Sequence, residues 1–179
     1  MQGNCEVDMG ELLTIGYEGA TLVHFLATLR SAGVEVLADV RAVPISRKPG
    51  FSKKALDANL AEIGITYLHF VELGDPKPGR DAARAGRIVE FRQIYGDHIL
   101  SSGAQSSLKK LADVAESKRT CLLCFERLPE TCHRRIVAEH LVHRGFAVVD
   151  LFVGSPSRHV NRSSDLHGHD PRQSLAAAE

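Results

Sequence analysis

Thr120-Cys-Leu-Leu-Cys-Phe125, then Glu126-Arg-Leu-Pro129 and Thr131-Cys-His-Arg134, is the stretch that decides how this chain is built. The first six residues are nearly all apolar, without period-two alternation, as in a strand covered on both faces. A proline-bearing loop ends that strand, and Thr131 to Arg144 reads as a helix with Gly145 at its end. Ala147 to Val153 is again apolar and predicts another strand. Strand, helix and strand in close succession form the unit of a parallel sheet.

Working outward, the same alternation continues toward the N-terminus. Leu12 to Ile15 predicts a strand ending at Gly16. Thr21 can cap a helix with Leu22, Phe25, Leu26 and Leu29 on one face, and Gly33 stops it. Val34 to Val40 predicts a second strand. Ser52 caps a helix carrying Leu56, Leu60 and Ile63, closed by Gly64, and Ile65 to Phe70 predicts a third strand. Glu72 to Arg80, with two prolines, reads as a loop. Two helices follow, striped by Ile88, Phe91, Tyr95 and Ile99 and by Leu108, Leu111 and Ala115. The whole predicts one α/β domain, doubly wound around a mainly parallel five-stranded sheet with helices on both faces. Its expected bounds are 12–153, between a polar N-terminal segment (1–11) and a flexible polar tail (154–179).

Composition narrows the function. Lys and Arg total 22 and so do Asp and Glu, so no global basic field drives nonspecific nucleic-acid binding. An anionic ligand must then be held by a local cluster. No run approaches the roughly 20 apolar residues of a membrane span. The acidic, polar start is unlike a secretory signal, and four cysteines without one suggest a reducing, cytoplasmic setting.

In doubly wound sheets ligands bind beyond the carboxyl ends of the strands. The residues at those ends here are Tyr17-Glu18, Asp39 to Arg41, His69 to Glu72, and Cys124 to Glu126 with Cys132-His133-Arg134. In this order the chain also carries Thr14-Ile-Gly-Tyr-Glu-Gly19, Asp39-Val-Arg41, Pro44-Ile-Ser-Arg47, Lys48-Pro-Gly-Phe-Ser52, Gly64-Ile-Thr-Tyr67, Leu73-Gly74, Leu123-Cys-Phe-Glu126 and Cys132-His-Arg134. Together these resemble the bacterial and archaeal family called domain of unknown function 488, over about Leu12 to Val153. The resemblance implies a compact α/β fold and a shared site; it implies no settled activity.

Each candidate residue has a functional and a bland reading. Asp39 can orient Arg41 so that its planar fork binds a carboxylate or phosphate, or the two can simply brace a loop. Arg47 lies a few residues on, in a loop stiffened by Pro44 and Pro49. Cys132, His133 and Arg134 fall at a helix start, where unpaired backbone N–H groups favour anions and lower a thiol's pKa. The bland alternative is a buried, inert thiol. Glu18 and Glu126 can carry protons or brace an arginine, and Tyr17 can stack on a base or sugar. The loop from Leu73 to Arg80 either closes over the site or merely connects.

No metal is expected, because strand alternation sends Cys121 and Cys124 to opposite faces and leaves too few ligands for a closed zinc site. The sequence assigns no cofactor. Three functions stay open: an enzyme, such as a hydrolase or transferase, on an anionic ligand such as a nucleotide or nucleic-acid end; a non-catalytic nucleic-acid or nucleotide binding module; and thiol redox chemistry between Cys124 and Cys132. In the first, Arg41, Arg47 and Arg134 hold the anion while Glu18 or Glu126 moves protons and Cys132 or His133 assists.

Overall fold

A computed structural model describes residues 10–154. The expected tail and most of the N-terminal segment lie outside the described residues. Strands β1 (Glu11–Gly16), β2 (Val36–Asp39), β3 (Thr66–His69), β4 (Thr120–Cys124) and β5 (Ala147–Leu151) form one sheet in the order β3-β2-β4-β1-β5. Every pairing in it is parallel.

The helices are α1 (Leu22–Ser31), α2 (Lys53–Ala61), α3 (Lys77–Arg84), α4 (Ile88–Ile99), α5 (Ser102–Ser117) and α6 (His133–Val142). Phe25 and Leu29 of α1 and Leu56 and Leu60 of α2 pack with Leu13, Ile15, Cys121 and Leu123 on one face. Residues of α3 to α6 pack with Leu12, Ala38, Leu122 and Val148 on the other. Neighbours along a strand thus enter different cores, which is why these strands are apolar without alternating. Each fully buried Leu or Phe contributes about 1.5–3 kcal/mol. No helix among the described residues is long and apolar enough to cross a membrane.

Two local readings change. The stretch from Glu72 to Arg80 is not a loop throughout: Val71–Leu73 is a 3-10 turn and α3 starts at Lys77. Pro76 caps that helix and Pro78 lies in its first turn, where a missing N–H costs nothing. Three helices therefore separate β3 from β4, where the apolar stripes predicted two. Ser52 stands at the N-cap of α2 but caps nothing with its hydroxyl. It donates to the Ser46 carbonyl at 3.1 Å and accepts from the Ser46 N–H at 3.1 Å, pinning the loop that carries Arg47.

The winding opens a crevice at one place. The connection leaving β1 runs to α1 on one face, and the connection leaving β4 runs to α6 on the other, although β1 and β4 are neighbours. Their carboxyl ends are the switch point where α/β sheets bind ligands. Gly16 ends β1 there, and a Cβ on it would sit 1.8 Å from the Glu126 carbonyl oxygen and 3.0 Å from the Arg127 Cα. Only a glycine lets the chain leaving β4 pass so close over the end of β1.

Gly16→Ala should therefore push the 126–127 backbone outward and lower stability by about 1–3 kcal/mol, read from urea denaturation. An unchanged midpoint would contradict this packing.

Candidate functional site

The chain leaves β4 at Cys124, turns through a 3-10 segment (Pro129–Thr131) and enters α6 with Cys132 at its N-cap. One buried side chain closes that excursion. Arg134, 1% exposed, donates through Nη2 to the Arg127 carbonyl at 2.9 Å, through Nη1 to the Glu126 carbonyl, and through Nε to Thr14 Oγ1 at 3.3 Å. Thr14 Oγ1 in turn donates to Asp150 Oδ1 at 2.5 Å. The guanidinium thus ties the β4 exit to β1, and a buried carboxylate on β5 lies one hydroxyl away. Arg134 spends its donors on the protein.

The next contacts gather sulfur and imidazole. His133 Nε2 lies 2.7 Å from the Val40 carbonyl. A carbonyl only accepts, so Nε2 carries the hydrogen and Nδ1 is the nitrogen turned to Cys124 Sγ, 3.7 Å away. The donor atoms of Cys124, Cys132 and His133 all lie within 4.8 Å of one another, and all three residues are buried. Cys124 Sγ donates to Glu126 Oε2 at 3.3 Å. Glu126 is half-buried, and Phe125 and Leu128 near it in the chain are exposed. The Tyr95 ring, 5.2 Å from that of His133, forms a wall, held by its hydroxyl donating to the Leu73 carbonyl at 2.6 Å.

The electrostatics divide the two thiols. Burial by itself would raise Cys132; interaction with the neighbouring Cys124, and the positive charges of His133 and Arg134, outweigh that and hold it well below the ordinary thiol range. Cys124 is pushed well up by burial and by the negative Cys132 beside it. Burial pulls His133 down, but hydrogen bonding and attraction to Cys132, with the Val40 carbonyl, carry it up to about 9. Glu126 is raised to about 7 by burial and by Cys132. Burial also lifts Asp75 to about 6, with His133, Arg80 and His98 opposing and Cys132 adding to the rise.

A second buried assembly adjoins this one. Arg41 Nε donates to Asp39 Oδ1 and Oδ2 at 2.8 and 3.0 Å, and Nη2 donates to Oδ2 at 2.5 Å. Its Nη1 reaches Tyr17 Oη at 3.0 Å and the Phe51 carbonyl at 2.9 Å. Tyr67 also donates to Asp39, at 2.5 Å. Tyr17 is stacked on Phe51 at 4.4 Å and met by the edge of Phe125 at 5.3 Å, so its ring faces protein. The two assemblies touch through Val40, whose carbonyl takes the His133 bond immediately before Arg41.

Of the residues singled out from sequence, Glu126, Cys132 and His133 thus converge, with Arg134 bracing them and Asp39, Arg41 and Tyr17 alongside. Glu18 is exposed and accepts from the Arg127 N–H at 3.0 Å; Arg47 is exposed on its loop. Cys121 and Cys124 do face opposite sides of β4, yet three soft donors remain together to hold a metal: Cys124, Cys132 and His133. Asp75 and Tyr95 were not singled out. Asp75 is buried, its Oδ1 has no hydrogen-bond partner among the described residues, and a Cβ on Gly79 would meet that oxygen at 2.1 Å. The glycines at 74 and 79 on either side of it were the available signal.

Residues 21–141 match the family described as Domain of unknown function DUF488. No curated protein and no solved structure matches the chain.

Arg134→Met removes the donor from two carbonyls and from Thr14, and should cost about 3 kcal/mol in chemical denaturation; a loss under ~0.5 kcal/mol would contradict the clamp. Asp75 supplies a pH test. Its folded pKa, about 6, lies above the unfolded value of 3.8, so native stability falls as pH rises from about 4 to 6 and then levels. Asp75→Asn lacks this slope, so its stability relative to the parent should improve between pH 4 and 7. A pH-independent difference would contradict the burial.

Proposed function

We propose, from the premise that this chain belongs to the DUF488 family, that it is a thiol-dependent redox protein in which Cys124 and Cys132 alternate between dithiol and disulfide. The observation that carries this reading is the placing of both sulfurs and the His133 imidazole within 4.8 Å at one strand exit. Cys132, at the N-cap of a ten-residue helix beside His133 and Arg134, has the surroundings of an attacking thiolate. Cys124 has those of a resolving thiol, with Glu126 Oε2 at 3.3 Å to take its proton.

The chemistry balances with a small disulfide as oxidant. Cys132 thiolate attacks one sulfur of the incoming disulfide, and the other sulfur leaves as a thiolate. Cys124 passes its proton to Glu126 and attacks Cys132 Sγ, expelling the second thiolate. Two electrons pass from the protein dithiol to the incoming disulfide, which becomes two thiols. A resting dithiol accords with the reducing, cytoplasmic setting expected from the cysteines.

An anion-led reading through Arg41, Arg47 and Arg134 has less support. Arg41 and Arg134 are engaged with Asp39, Tyr17, Thr14 and three backbone carbonyls, which leaves the exposed Arg47 alone.

Treatment of the reduced protein with oxidised glutathione, followed by peptide mapping, tests the proposal. A Cys124–Cys132 disulfide is expected, with Cys132 reacting about tenfold or more faster than Cys121. Cys124→Ser should leave glutathione attached at Cys132, and Cys132→Ser should give neither product. Absence of the internal disulfide in the parent would overturn the reading.

A further inference from the structure

The same corner has a property that disulfide exchange does not require. A disulfide needs two sulfurs, whereas this site also holds an imidazole in the orientation of a metal ligand. His133 gives its Nε2 hydrogen to the Val40 carbonyl at 2.7 Å, and Nδ1 is thereby presented to the sulfurs. A hydrogen bond from the far ring nitrogen to a backbone carbonyl is how ligating histidines are usually fixed.

The spacing agrees with a tetrahedral ion. Zinc bonds of about 2.3 Å to sulfur and about 2.0–2.1 Å to nitrogen place two such ligands about 3.6 Å apart. Cys124 Sγ and His133 Nδ1 are 3.7 Å apart. A sulfur and a carboxylate oxygen on the same ion would be separated by about 3.6 Å, and Glu126 Oε2 stands 3.3 Å from Cys124 Sγ. Little rearrangement is needed.

The charge inventory is an independent pointer. The Glu126 carboxylate stands 3.3 Å from Cys124 Sγ, and Asp75, which interacts electrostatically with Cys132 and His133, is buried with an oxygen that has no hydrogen-bond partner among the described residues. The cationic groups that Asp75 senses are His133, Arg80 and His98. Arg80 donates to the Asp75 backbone carbonyl, and His98 meets the Glu72 carbonyl at 2.9 Å. Arg134 is committed to carbonyls and Thr14. A buried negative group with no partner is stabilised by a nearby cation.

We propose that the reduced protein binds one soft divalent cation of the zinc type through Cys124 Sγ, Cys132 Sγ and His133 Nδ1, leaving a fourth, exchangeable position beside Glu126. Three protein donors with an open place are the pattern of reactive rather than purely structural zinc. Occupation of both sulfurs also excludes the Cys124–Cys132 disulfide, so the ion and the oxidant compete for one dithiol. The inference shares the thiol pair with the redox reading but goes beyond it, since it alone needs His133 Nδ1 as a ligand atom.

Cobalt(II), added alone and without oxygen to the reduced full-length protein, tests this. One equivalent should bind with thiolate-to-metal charge-transfer absorption and the visible bands of a tetrahedral ion, and zinc should displace it. His133→Ala should weaken cobalt binding by about tenfold or more. In the parent, one equivalent of zinc should protect Cys124 and Cys132, but not Cys121, from alkylation, a reading independent of any variant's folding. Absence of the thiolate band, undiminished binding in His133→Ala, or unprotected Cys124 and Cys132 would each overturn the inference. A disulfide formed by a protein that binds no cobalt leaves the redox reading standing; cobalt bound by a protein that forms no disulfide overturns the redox reading alone.

Discussion

A guanidinium almost without solvent contact holds the functional end of this sheet together. Arg134 reaches back from the first turn of α6 and bonds the backbone that has just left β4, while its Nε touches Thr14 on β1. The excursion from Cys124 to Cys132 is thereby pulled into a closed loop whose two ends lie side by side. Together with His133 on the Val40 carbonyl and the Arg127 N–H on Glu18, those bonds bring the second cysteine back beside the first. The charge that makes this possible is costly to bury. It is offset by carbonyl dipoles and by Asp150, reached through the Thr14 hydroxyl.

The neighbouring strand is organised on the same plan. Asp39 and Arg41 pair tightly, and Tyr17, Tyr67 and the Phe51 carbonyl complete their hydrogen bonding. Two arginines that look like ligand hooks in the sequence are, in the fold, struts that set the height of adjacent loops. Next to the struts lies a different chemical set: two thiols and one imidazole, with the Glu126 carboxylate against one of the sulfurs. That set is suited to soft electrophiles and soft cations more than to phosphate. The Val40 carbonyl joins the halves, because the strand that ends in the Asp39–Arg41 pair also fixes the orientation of the His133 ring.

Much of the architecture could be read from residue patterns. The nearly continuous apolar run at Thr120 to Phe125 predicted a strand covered on both faces, Val34 to Val40 predicted another strand, and β4 and β2 both lie inside the sheet. Thr21 caps α1 by accepting from the His24 N–H at 3.2 Å, and Gly33 and Gly64 end their helices with positive φ as a turn-closing glycine should. The helix α3 was hidden because its two prolines signal a loop unless they fall at a cap and in the first turn, and only the tertiary course places them there. For the site, strand-exit logic brought out Glu126, Cys132 and His133, whose separation in sequence is short. Whether an arginine aims at solvent or at its own backbone is a matter of side-chain path, which no spacing encodes. Asp75 was missed for a related reason: its burial depends on α3 and on the close approach of Gly74 to Ala42, both long-range outcomes.

The central claim is that Cys124 and Cys132 face one another across a closed loop. A trivalent arsenical such as phenylarsine oxide bonds two thiols only when their sulfurs lie within a few ångströms, and it does so without oxidant or metal. Mass spectrometry of the reduced protein after such treatment should find one arsenic bridging Cys124 and Cys132. An arsenical that fails to bind, or that bridges any other pair, would contradict the account.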